Sequence, residues 1–176
     1  MAAAFAFDAQ YGTQTGSPLG GTSTTTGITN NNWANSADPT ILYSTNPITA
    51  GNNSFTDFQY GHYTGTYNQI SAGLWAHTLT ALGTGLTLKG VVTTTYATPS
   101  AATNAALTTD MTTAIAIGSG AAVLFTPTAP QTATPTSSTT ANPAFTQYLA
   151  TQLQTTISAA AGDTANITMT LQYSEN

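Results

Sequence analysis

Residues 167–174 alternate without a break. Ile167, Met169, Leu171 and Tyr173 fall on one side, and Thr168, Thr170, Gln172 and Ser174 on the other. Period two is the mark of a strand with one face against a core. Threonine is the commonest residue of the chain, and β-branched side chains favour extended backbone over helix. Further strands are expected at ILYST (41–45), in the aromatic run from Phe55 to Thr66, at LWAHTLTAL (74–82) and at GLTLKGVVTTTYATP (85–99). Residues 148–159 alternate as well. Phe145, Leu149, Leu153 and Ile157 recur every four residues and offer a competing helix. The threonines of this segment favour the strand. The loop AAGDTA (160–165) then predicts a hairpin joining it to 167–174.

Punctuation fills in the rest. Residues 101–113 are rich in Ala and Thr and predict a short helix. Two apolar runs flank Gly118-Ser119-Gly120 within 114–127, as for a turn between buried strands. Pro127, Pro130, Pro135 and Pro143 make 126–143 an extended surface connection. Many short strands with frequent turns predict an all-β fold, a β-sandwich or β-barrel of jelly-roll or Ig-like kind, with long surface loops. Residues 12–40 are dominated by Gly, Thr, Ser and Asn, with few apolar anchors. Such a stretch buries little by itself. The expected division is an extended N-terminal arm, 1–40, and a β-sandwich domain, 41–176. Leu19 and Trp33 are the arm's expected anchors on a neighbouring subunit.

Charge excludes whole classes of function. Of 176 residues, only Lys89 is basic, and six are acidic: Asp8, Asp38, Asp57, Asp110, Asp163 and Glu175. No basic footprint for nucleic acid exists. With no cysteine, disulfides and thiol chemistry are absent. No apolar run is long enough for a membrane-spanning helix, and MAAAFAFDAQYG lacks the positive start of a secretory signal. Production in a host cytoplasm without a signal peptide is the expectation.

The chemical motifs fail one by one. His62, His77 and Asp57 suit a metal only if the fold gathers them; as strand residues they are more simply read as partly buried. Ser119 lacks the spacing of a nucleophile elbow. Lys89 sits among glycines, but Leu88 and Gly90 break the phosphate-loop register. Lys89 is expected either to pair with a carboxylate at a subunit contact or to guard an edge strand. The other aspartates adjoin turns, where capping explains them. Asn52-Asn53-Ser54 and Asn166-Ile167-Thr168 match the glycosylation triplet. The aromatics between Tyr43 and Tyr67, Tyr60 and Tyr63 among them, are expected in core or interface packing, or as a face for a glycan or receptor. No catalytic, cofactor or metal residue is expected, and the chain reads as a non-enzyme.

The ending AGDTANITMTLQYSEN resembles the C-terminal strand of small tailed-phage virion proteins, above all capsid decoration (cement) proteins. The resemblance covers about the last 30 residues; the lack of Cys and the Thr, Ala and Gly-rich β content are similar too. It implies a β-sandwich or barrel that binds the major capsid protein or another virion protein at many copies on the capsid surface. It also implies a homo-oligomer, a trimer foremost, and a virion location. Tail or fibre components, receptor-binding modules and surface filament or adhesin subunits are the alternatives. Neutral hydroxyl and amide surfaces suit such contacts, because charges are costly to desolvate.

Overall fold

The computed structural model describes residues 3–15, 20–65, 69–79, 82–111, 131–132, 144–160 and 167–175. These residues form ten strands and no helix. The strands are β1 (Ala3–Gln14), β2 (Gly21–Thr25), β3 (Asp57–Gly65), β4 (Gln69–Leu79), β5 (Leu86–Thr93), β6 (Thr109–Asp110), β7 (Gln131–Thr132), β8 (Ala144–Phe145), β9 (Tyr148–Thr155) and β10 (Ile167–Glu175). The main sheet runs β2-β1-β3-β9-β5-β6, with β8 also pairing β3; the second sheet runs β10-β4-β7. Every pairing is antiparallel. The fold is all-β and consistent with a β-sandwich. It is not a closed barrel, since β2 and β6 stand at opposite edges of the main sheet.

Register decides which side chains share a face, because alternate residues point the same way. Phe5 opposes Tyr63 and Phe7 opposes Gly61. Asp57 opposes Thr151 and Gln59 opposes Leu149. Leu88, Gly90 and Val92 oppose Leu153, Thr151 and Leu149. On this inner face Leu88, Met111 and Leu149 form a buried cluster, joined by Phe7, Trp33, Leu82, Val92 and Met169. Met169 comes from β10, and its register partner on β4 is His77. The His77 Nε2 donates to the Met111 carbonyl at 3.0 Å. These two residues therefore seal the second sheet against the first. Gly90 makes room for this: a Cβ there would lie 2.2 Å from the Met111 sulfur.

The other face of the main sheet holds a second cluster of Phe58, Tyr60, Tyr96, Leu107, Tyr148 and Ala150. The rings meet edge-on or tilted, with Phe58 and Tyr148 at 5.8 Å and Phe58 and Tyr96 at 4.8 Å between centroids, the geometry their quadrupoles prefer. Tyr96 and Leu107 belong to the segment between β5 and β6, which thus covers this face. The Tyr96 hydroxyl donates to the Gly12 carbonyl at 2.6 Å. Gly12 has φ +83° and lies where the β1–β2 register shifts, a bulge that a side chain at that φ resists.

The strands expected at 55–66, 74–82, 85–99 and 148–159 all exist. Their partners differ from expectation. Residues 148–155 lie between β3 and β5, while 167–175 lie beside β4 in the other sheet, so the two do not form a hairpin. Residues 41–45 form turns, with Thr45 and Asn46 amides donating to the Leu42 carbonyl; Pro39 and Pro47 flank them and deny ladder bonds. The described part of 101–113 holds no helix. Ser100 and Asn104 side chains accept from the amides of Ala102 and Ala106, and these local bonds compete with helix. The turn expected at 118–120 and most of 126–143 lie outside the described residues; within the latter, Gln131 and Thr132 form β7.

The N-terminal arm is also corrected. Within residues 1–40, β1 pairs with β3 along most of its length and β2 pairs with β1. The alternation of Phe5, Phe7, Ala9 and Tyr11 is a strand pattern; Asp8 does not interrupt it, because Asp8 points to the opposite face.

Candidate functional site: polar groups buried in the main sheet

A sheet covered on both faces hides most of the polar side chains its strands carry. Asp8, Gln10, Asp57, Gln59, His77, Thr151 and Gln152 are all buried. Each requires partners or leaves a cost.

On the aromatic face, β1 presents Asp8 beside β3. The Asp8 carboxylate accepts from the Gly27 amide at 2.9 Å and from His62 Nδ1 at 2.9 Å. Tyr60 also hydrogen-bonds Asp8. Burial pushes the Tyr60 phenol well above its ordinary value, and the Asp8 charge adds to the rise. His62 stacks on Phe145 with centroids 4.9 Å apart, and its Nε2 is buried with no hydrogen-bond partner. Carboxylate, imidazole and nucleophile would make a hydrolytic triad; here the third member is missing among the described residues. Nearby, the Tyr148 hydroxyl donates to Gln10 Oε1, and Gln10 Nε2 donates to Thr24. Gln152 ties the covering segment down. Its amide nitrogen donates to the carbonyls of Ser54, Ser100 and Ala102, and its oxygen accepts from the Asn104 amide.

On the inner face, Asp57 is 2 % exposed, and neither carboxylate oxygen has a hydrogen-bond partner. Desolvation raises its pKa well above the ordinary value, because burial disfavours the charged form. Thr151, directly opposite, accepts a hydrogen bond from Trp33 Nε1 at 3.1 Å.

These groups predict a stability profile. Asp57 holds its proton to higher pH when folded than when unfolded. Its contribution is complete below the unfolded value near 3.8 and is lost as pH rises through the folded value. Burial likewise pushes Tyr96 and Tyr148 from 10 up to about 12, so a second decline begins near pH 10. Denaturant midpoints measured against pH should fall in these two stages. Asp57→Asn should flatten the first and leave the second. Parallel profiles for the two proteins would refute the role given to Asp57.

The structure redistributes the residues singled out from sequence. Asp57 does not partner His62; Asp8 does, across 54 positions. His77 lies on the opposite side of the main sheet from His62, and no group of three His, Cys, Asp or Glu able to hold a metal occurs among the described residues. Tyr60 and Tyr63 are each 1 % exposed; their rings fill the chain's own core and present no face to a partner. Trp33 packs against the inner cluster of its own chain. Leu19 lies outside the described residues. Lys89 pairs with Asp110 at 3.1 Å, and β5 is no edge, because β6 flanks it. One shallow cleft of about 220 Å³ is lined by Thr56, Phe58, Thr98, Ser100 and Asn104 among others, without an ionisable group. Comparison with family models, curated proteins and solved structures found no match.

Proposed function

We propose that this chain is a non-enzymatic structural protein of a virus particle, one that decorates and stabilises a capsid lattice by bridging neighbouring capsid subunits. The observation that most supports it is the fate of the charges. Among the described residues, Asp8 is buried against His62, Asp57 is buried, Asp38 caps Thr40, and Lys89 pairs with Asp110. Apart from the Lys89–Asp110 pair and the partly exposed Asp38, what faces outward among the described residues is hydroxyl, amide and apolar, with Leu42, Tyr43 and Ile157 the large exposed apolar side chains. Such a surface docks on protein with little ionic desolvation. Many weak contacts over a lattice then add up through multivalency. The resemblance of the C-terminal strand to decoration proteins supplies the virion setting.

The test is copy number in purified native particles, by quantitative mass spectrometry against the major shell protein. A one-to-one ratio, or a fixed simple fraction, is expected. A few copies per particle would move the reading to a tail or fibre part, and absence from particles would overturn it.

A further inference from the structure

The segment between β5 and β6 is held more firmly than a cover for the aromatic cluster requires. Residues 97–105 form no strand or helix, yet the chain behind them pins their backbone. The Ser100 carbonyl accepts from the Thr56 amide at 3.1 Å, the Thr56 hydroxyl at 3.4 Å and Gln152 Nε2 at 3.3 Å. The Asn104 amide donates to Gln152 Oε1 at 3.2 Å. The cleft of about 220 Å³ opens at this segment, and four of its side-chain oxygens are already fixed in place. Thr98 Oγ1 accepts from the Gln14 amide at 2.9 Å, and Ser100 Oγ from the Ala102 amide at 3.1 Å. Thr103 Oγ1 accepts from Asn53 Nδ2 at 3.0 Å, and Asn104 Oδ1 from the Ala106 amide at 3.0 Å. A hydroxyl that accepts keeps its own proton to donate, and a carboxamide whose oxygen is engaged keeps its NH2. Among the described residues, none of these three hydroxyl protons has an acceptor, nor has Asn104 Nδ2. The cleft therefore presents a row of positioned, uncommitted donors.

We propose that this cleft binds one neutral sugar ring, the exposed terminal unit of a glycan. No ionisable group lines it, so a charged ligand would lose hydration with no counter-charge in return. The lining mixes hydroxyls and a carboxamide with Phe58 and three alanines, as a sugar ring mixes a hydroxyl rim with C–H faces. Its volume of about 220 Å³ lies below the roughly 300–1,000 Å³ of sites for drug-sized ligands, which limits the occupant to a single ring. An extended peptide is recognised along a sheet edge or a long groove, and this cleft is neither. The Thr98, Ser100 and Thr103 hydroxyls and the Asn104 amide donate to sugar oxygens. The Thr56 oxygen gives its proton to Ser100 and so accepts from a sugar hydroxyl. Because the oxygens are fixed before the ligand arrives, little side-chain freedom is lost on binding. This inference rests on the cleft alone and is independent of the virion reading.

Amide NMR spectra of the nitrogen-labelled full-length protein test it. The probes are the methyl glycosides of glucose, galactose and mannose, and N-acetylglucosamine, with glucuronate and sulfate as anionic counterparts. At least one neutral sugar should give saturable shifts at the amides of Thr56 and residues 97–105, with the millimolar affinity expected of so small a ligand. The anions should give none there. Thr103→Val keeps the shape and removes one donor, and should weaken binding about tenfold. No saturable shift from any of the neutral sugars at tens of millimolar would overturn the proposal. So would shifts centred away from the cleft, or an anion that binds there as tightly as the sugars. A folded Thr103→Val protein with wild-type affinity would overturn it as well. The wild-type titration decides without any variant having to fold.

Discussion

A chain lacking residues 1–14 is expected to lose cooperative folding altogether. β1 pairs with β3 at eight positions from Ala3 to Gln10, and with β2 on its other side. Deleting it strips β3 of its longest ladder, along Phe58 to Gly65, and strands β2 at the margin. Phe7 leaves the inner cluster. His62 and Tyr60 lose the Asp8 carboxylate that their polar atoms face. A single domain is stabilised by only about 5–15 kcal/mol in total, and removing an interior strand consumes all of it. Circular dichroism should show no sigmoidal melt for the truncated protein, and a hydrophobic dye should bind at room temperature. The full chain should melt cooperatively. A truncated protein that melts at the full-length midpoint would restore the picture of a detachable arm.

The strand content was legible from residue pattern; the pairing was not. Period two and β-branched residues marked 148–155 and 167–175, because each strand buries one face and alternation records burial. Which strand lies beside which depends on contacts far apart in sequence. A plausible hairpin loop at 160–165 pointed to the wrong neighbour for the same reason. β1 carried a readable signal in Phe5, Phe7, Ala9 and Tyr11, hidden by an aspartate in their midst. That aspartate is buried because His62 and the Gly27 amide await it, and no spacing rule reveals a partner 54 residues away. Local propensity misled at 41–45, where the flanking prolines outweigh Ile, Leu and Tyr. In the sequence Asp57 stood out only as a conditional metal partner of His62 and His77. Only its burial without partners separates it from the others.

Trp33 offers the sharpest division between an arm that anchors elsewhere and a segment that belongs to this core. Its ring packs against the Leu88, Met111 and Leu149 cluster, and its Nε1 bonds Thr151 on the central strand β9. Its backbone neighbour Ala34 is 1 % exposed and accepts from the Phe55 amide, so the segment is fastened beside the start of β3. Trp33→Ala should therefore cost about 3 kcal/mol, the scale of aromatic truncation in a packed site. Trp33→Phe keeps most of the ring contact and loses the hydrogen bond, for a cost of about 1 kcal/mol. Urea denaturation of the isolated protein, compared at constant slope, reads both values. An arm residue waiting for a partner would behave differently: its removal would leave the isolated chain within about 0.5 kcal/mol of wild type and weaken assembly alone. The ordering Ala, Phe, wild type in the isolated protein is what a core tryptophan requires.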